Sequence, residues 1–109
     1  MGQSEITEFI HSLGKVKEDR ATRERLILFK TVPEGQICAI IHDSSQPLRL
    51  EAKCDSTLAK VLRDKYETVS PSKNMDARNW NEIIASGQLD SEQIKDLLRL
   101  SYNLVAKIN

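Results

Sequence analysis

The chain is short of several residue types, and each shortage narrows what it can be. Its four glycines stand at positions 2, 14, 35 and 87. So scattered a set forms no phosphate-cradling loop. The two cysteines, Cys38 and Cys54, have neither C-x-x-C spacing nor a histidine cluster near them. No metal site is expected, and the thiols are expected to stay reduced. Only five residues are aromatic, so aliphatic side chains must build most of the core. Sixteen basic and sixteen acidic residues cancel, which removes a strong overall positive field as a route to nucleic acid. Any basic surface must come from local arrangement. No apolar run approaches the roughly 18–20 residues that cross a bilayer. The first residues, Met1 to Glu5, are neither basic nor apolar enough for a signal peptide. A cytoplasmic monomer without membrane contact is expected.

Catalytic signatures are missing too. There is no H-E-x-x-H and no G-x-S-x-G. Of the two histidines, His11 falls off the apolar stripe of its helix and His42 ends a strand beside a turn. A Cys38–His42 pair would span roughly 7 Å along one strand, too far for a thiolate–imidazole couple. The carboxylates are spread singly. No catalytic residue, cofactor or metal ligand is assigned.

What remains is a clear pattern of elements. With 109 residues there is room for one domain and one core. Residues 1–14 read as an N-terminal helix with Ile6, Phe9, Ile10 and Leu13 on one stripe, Ser4 as cap and Gly14 ending it in a left-handed turn. Residues 15–24 alternate in charge around Val16 and read as a connector. The main body, residues 25–109, begins with strands over 25–32 and 36–42, joined by a turn at Val32-Pro33-Glu34-Gly35. A third strand over 48–54 places Leu48, Leu50, Ala52 and Cys54 on one face and Arg49, Glu51 and Lys53 on the other. Matching that apolar face to Ile37, Ala39 and Ile41 leaves Cys38 pointing away, so the thiols cannot bridge.

Asp55 or Ser56 caps a second helix with Leu58, Val61 and Leu62 on its stripe. Strands follow over 67–72 and 80–85. Asp90 with Gln93 forms a capping box for a last helix striped by Ile94, Leu97, Leu98, Ser101, Leu104, Val105 and Ile108. The order is helix, three strands, helix, two strands, helix: an α+β fold with an antiparallel sheet and helices on one face. Trp80, Tyr102, Leu58, Leu62, Leu97 and Leu98 are the expected core residues.

For binding, the loop between the last two strands stands out. It carries Lys73 and Arg78 beside Asn74 and Asn79, with one acid, Asp76, between them. Two cations and two amides on a loop can grip phosphates. Arg49 and Lys53 share the polar face of the third strand. Lys60 and Arg63 on the second helix read as solvated charges.

These residues also carry a resemblance. Lys53 ends an apolar strand; Leu58-Ala59-Lys60-Val61-Leu62-Arg63 follows as L-A-x-x-L-R; Val69-Ser70-Pro71-Ser72-Lys73 follows as V-x-P-S-K; Trp80 stands seven residues on. Gly87-Gln88-Leu89-Asp90 and Ser101-Tyr102 complete the series. The chain resembles the YjbR/MmcQ family of small bacterial proteins from about Leu48 to Val105, and more loosely from Arg25 to Asp43. That resemblance implies the same α+β fold. It also implies contact with double-stranded DNA through two projecting wings, here the Asp43–Pro47 turn and the Ser72–Asn79 loop, with Lys53, Lys73 and Arg78 foremost. Arg49, Asn74 and Asn79 complete the expected DNA-contacting set. The first wing has no cation and one acid, Asp43. Two rivals stand beside this reading: a protein-interaction module with a secretion-chaperone-like fold, and a small-molecule binder of unknown ligand.

Overall fold

The computed structural model describes residues 2–107. Its elements are α1 (Gln3–Ser12), β1 (Val16–Ala21), β2 (Leu26–Thr31), β3 (Ile37–His42), β4 (Arg49–Lys53), α2 (Ser56–Lys65), β5 (Val69–Pro71), β6 (Trp80–Ile84) and α3 (Ser91–Ala106). The six strands form one antiparallel sheet in the order β1-β2-β3-β4-β6-β5. This is the expected α+β architecture with one strand more than the sequence suggested. Ile108 lies outside the described residues.

The extra strand is β1, where a charged connector was expected. Lys17, Glu18, Asp19 and Arg20 are all exposed. β1 has no apolar alternation because it is the outermost strand and both its faces are wet. Its six residues pair in unbroken register with β2, from Val16↔Thr31 to Ala21↔Leu26. Ion pairs reinforce the ladder: Lys30 Nζ reaches Asp19 at 2.7 Å, and Arg20 bridges Glu18 and Asp43. A charged edge also discourages a second chain from adding to it.

The helices cover one face of the sheet. Register explains the core: Phe29 lies opposite Ala39, Ile27 opposite Ile41, Ile41 opposite Leu50, and Leu50 opposite Ile83. These residues meet Ile6 and Ile10 of α1 and Ile94 and Leu98 of α3 in a single buried cluster. Leu62 and Leu97 are half-buried against it, Tyr102 is buried within it, and Leu58 is half-buried. α2 departs from expectation, because its buried residue is Ala59 and Val61 is half exposed. Asn81 Nδ2 donates to the Ala59 carbonyl at 3.1 Å, so the helix approaches β6 on its smallest side chain and the larger ones flank the contact.

Cys38 also lies elsewhere than expected. Between Phe29↔Ala39 and Lys30↔Ile37 it has no partner in β2, so it is the extra residue of a bulge. The bulge turns Cys38 into the helix-side cluster with Ala39. Burial pushes its thiol up to about 11, and burial followed by the neighbouring Asp55 charge raises that of Cys54. Both thiols are free.

Of the two candidates for the α2 cap, Asp55 is the one, accepting from the Thr57 and Leu58 amides, while Ser56 is the first helical residue; Asp90 with Gln93 closes the expected capping box of α3. α1 differs. It begins at Gln3 after Gly2, with no side-chain cap, so Ser4 lies inside the helix. Gly14 is needed for a different reason than a left-handed turn. A Cβ on it would lie 2.0 Å from the Tyr102 hydroxyl and 2.7 Å from its Cζ. Gly14→Ala should therefore cost about 1–3 kcal/mol through forced displacement of the ring. Adding Tyr102→Phe should recover part of that loss in urea unfolding, and strict additivity of the two changes would contradict the clash.

Candidate binding site

β4 is the ruler for the predicted contact residues. Arg49 begins it opposite Ile84, and Lys53 ends it opposite Trp80. The Asp43–Pro47 turn enters β4 at the Arg49 end, and the Ser72–Asn79 loop enters β6 at the Lys53 end. The two expected wings therefore lie at opposite ends of the sheet. Lys53, Lys73, Asn74, Arg78 and Asn79 share one end, and Arg49 belongs to the other.

Neither loop projects freely. In the first, Asp43 accepts from Gln3 Nε2 at 3.0 Å and from Arg20 Nη1 at 3.3 Å, which ties it to α1 and β1. The Gln3 bond, chiefly, holds the Asp43 carboxyl below its ordinary range. The second loop is pinned at three points. The Ser72 hydroxyl donates to Glu51 Oε1, Asn74 Nδ2 donates to Glu51 Oε2 at 2.6 Å, and Arg63 Nη1 donates to the Ala77 carbonyl at 2.9 Å. Arg63 also reaches Asn81 Oδ1 at 3.0 Å, so it is a clamp between α2 and β6 and not a solvated charge.

The cations divide into paired and unpaired. Arg78 grips Asp76 through Nε at 3.2 Å and Nη2 at 2.9 Å. Those bonds lower the Asp76 carboxyl and raise the Arg78 guanidinium. Arg49 Nη2 lies 3.4 Å from Glu82 Oε1. Lys53 and Lys73 make no ion pair among the described residues. The Asn79 carbonyl accepts from the Cys54 amide at 3.0 Å, while its buried side-chain oxygen has no hydrogen-bond partner among the described residues. The expected pair of free cations on one loop is thus reduced to Lys73, with Lys53 at its base.

A feature missed by sequence reading lies at the same end. A groove of about 750 Å³ runs between the β2–β3 turn and the β5–β6 loop, over the C-terminal turn of α3. Met75, Trp80 and Tyr102 contribute to its walls, with Val32 and Leu104 at its sides. Val32 and Leu104, each 41% exposed, are two of three large hydrophobics exposed among the described residues. Its charged groups are Glu34, Lys53 and Lys107. Leu104, expected on the apolar stripe of α3, is instead exposed at the groove, while the following Val105 and Ala106 pack against the core. Nothing in the linear order shows that Val32, Met75 and Leu104 converge.

No protein-family profile matches the chain, and no curated protein is significantly similar to it. Solved structures are similar in fold. The Deinococcus radiodurans protein DR2400, whose family-model domain is DUF419, superposes with a TM-score of 0.89 at 23% identity, over 96% of this chain and 78% of that one. A Pseudomonas syringae protein superposes with a TM-score of 0.80 at 16% identity, over 96% of this chain and 99% of that one. No helix of the described residues is long and apolar enough to cross a membrane. At these identities the likeness is one of architecture: this chain has the fold of the DR2400 structure.

Proposed function

We propose that the chain is a YjbR/MmcQ-like binding module, without catalytic activity, that takes an extended segment of a partner protein in the groove at the Lys53 end of the sheet. The observation that carries this reading is the convergence of Trp80, Tyr102 and Met75 in one concavity bordered by exposed Val32 and Leu104. The lining is mixed: Thr31, Glu34, Gln36, Lys53 and Lys107 stand beside the apolar side chains, and the apolar part gives a partner's hydrophobic residues a seat. The charged groups add the direction of selectivity. Two lysines, Lys53 and Lys107, stand against Glu34, so the segment that fits is apolar with acidic flanks.

Trp80 is the sole tryptophan and serves as the reporter. Short peptides alternating leucine with glutamate should change its fluorescence saturably, and leucine–lysine peptides should not. Leu104→Glu, at an exposed position, should weaken the response about tenfold, the effect of losing one good apolar contact. Equal binding of both peptides, or an unchanged response in Leu104→Glu, would sink the reading.

A second reading has its own support. Lys53 and Lys73 stand at one end of the molecule with no ion pair among the described residues, so two phosphates of a DNA duplex are within their chemistry. Backbone contact by two lysines predicts a slope of log affinity against log salt of about −1.8. Anisotropy of a labelled duplex at several salt concentrations measures it. Lys53→Ala with Lys73→Ala should flatten the slope, whereas salt-independent binding rules this contact out.

A further inference from the structure

The sheet face turned away from the helices carries a second constellation in its middle strands. Glu51 in β4 and Glu82 in β6 lie directly opposite each other. His42, at the end of β3, places Nε2 2.8 Å from Glu51 Oε2 and 3.5 Å from Glu82 Oε1. One donor atom from each of the three lies within 4.8 Å of the other two. They come from three adjacent strands, so the ladder itself holds them in place.

Charge balance makes the cluster unusual. Glu51 is 0% exposed, covered by the β5–β6 loop. Its other two partners there, the Ser72 hydroxyl and the Asn74 amide, are neutral donors, so among its hydrogen-bond partners in the described residues only the His42 imidazole can carry a positive charge. Glu82 is 9% exposed and faces a single guanidinium, Arg49, whose Nε is buried without a partner. Two carboxylates opposite each other in a sheet repel, and a buried carboxylate without a cation is costly. Arg49 supplies one positive charge, and the pair has room for a second.

We propose that His42, Glu51 and Glu82 form a binding site for a divalent transition-metal ion of the zinc type. Imidazole with carboxylates is a suitable donor set for that class, and three protein ligands leave a fourth position for water or an incoming group. Ligand atoms about 2.0–2.1 Å from zinc in a tetrahedron stand about 3.3 Å apart. The His42–Glu82 separation of 3.5 Å is already close to that, and His42–Glu51 needs to open by a few tenths of an ångström from 2.8 Å. The His42 and Glu82 side chains, 16% and 11% exposed, give solvent an entry. The Arg49 side chain, 41% exposed, has space to swing away from Glu82 as the ion arrives. This goes against the sequence-based expectation of no metal. Spacing along the chain could not show it, because the three ligands are brought together only by strand order. The site is separate from the groove and does not rest on the peptide reading.

The test is a calorimetric titration of the full chain, first freed of metal by a chelator, with Zn²⁺ alone. One saturable equivalent is expected, with no comparable heat from Mg²⁺. His42→Ala and Glu82→Gln should each weaken binding by at least about 10- to 100-fold, the range seen even for residues that only support a ligand. His11→Ala, which removes the surface imidazole beside Glu18, should leave it unchanged. Because His42 and Glu82 are partly exposed, these variants keep the test independent of whether a Glu51 variant folds. Absence of saturable Zn²⁺ binding, the same affinity in both ligand variants, or loss in His11→Ala instead would overturn the proposal.

Discussion

Trp80→Ala is expected to lower the unfolding free energy by roughly 3–5 kcal/mol, the cost of deleting a large buried aromatic side chain. Against a total of about 5–15 kcal/mol for an ordinary domain, that is a large fraction. The indole is 4% exposed, yet it does not belong to the helix-side cluster. Register puts it opposite Lys53 and two residues from Glu82, on the other face of the sheet. Its carbonyl accepts from the Ser72 amide at 3.0 Å, at the point where the pinned loop begins. Removing the side chain should therefore loosen that loop as well as the sheet end. Urea unfolding followed by far-ultraviolet circular dichroism measures the stability, since the fluorescent reporter is lost with the residue. Trp80→Phe should cost less, because most of the apolar volume stays. A midpoint for Trp80→Ala that coincides with the parent would show that the burial is not worth what its area implies.

Ser101→Ala is expected to cost about 2–4 kcal/mol although it removes a single oxygen, because it leaves one buried and one part-buried backbone group without that partner, the buried one worth about 1–3 kcal/mol and the other less. Ser101 is 0% exposed in the middle of α3. Its hydroxyl donates to the Cys38 carbonyl at 2.7 Å and accepts from the Lys53 amide at 2.8 Å. Those groups belong to β3 and β4, whose described register consists of Ile40↔Glu51 and Ile41↔Leu50. The bulge at Cys38 carries the strands out of register beyond that point, and Ser101 fills the gap. Amide exchange should accelerate at Lys53, with the α3 cap at Asp90 unaffected. Ser101→Thr keeps the hydroxyl but adds a methyl group in a packed site, so it should be intermediate. An Ala variant as stable as the parent would mean that the two strands close on each other without the helix.

The cluster beneath the helices was legible because its residues repeat at the spacings of helix and strand. Ile6 and Ile10, Ile94 and Leu98, and Leu50 and Ala52 were each placed on the correct buried face from periodicity. The caps at Asp55 and Asp90 were legible for a similar reason: a cap acts within its own four residues. β1 was not, since an edge strand wet on both faces has no hydrophobic period to read, and its order comes from the backbone of β2. Gly14 was noticed, but its role was not, because Tyr102 is distant in sequence.

The candidate sites divide along the same line. Lys73, Arg78, Asn74 and Asn79 were rightly grouped on one loop, which is a local fact. Whether each is available was only partly local: Asp76, two residues away in the same loop, takes Arg78, but Glu51 takes Asn74 and Arg63 holds the loop's backbone from distant elements.

Composition and period alone specify an α+β chain with a mainly aliphatic core, because burial patterns repeat over a few residues wherever a segment packs. Strand order, the bulge at Cys38, the opposed ends of the two loops, the groove and the His42–Glu51–Glu82 cluster belong to the folded molecule. Each depends on which distant backbones become neighbours, and hydrogen-bond register, not side-chain type, sets that.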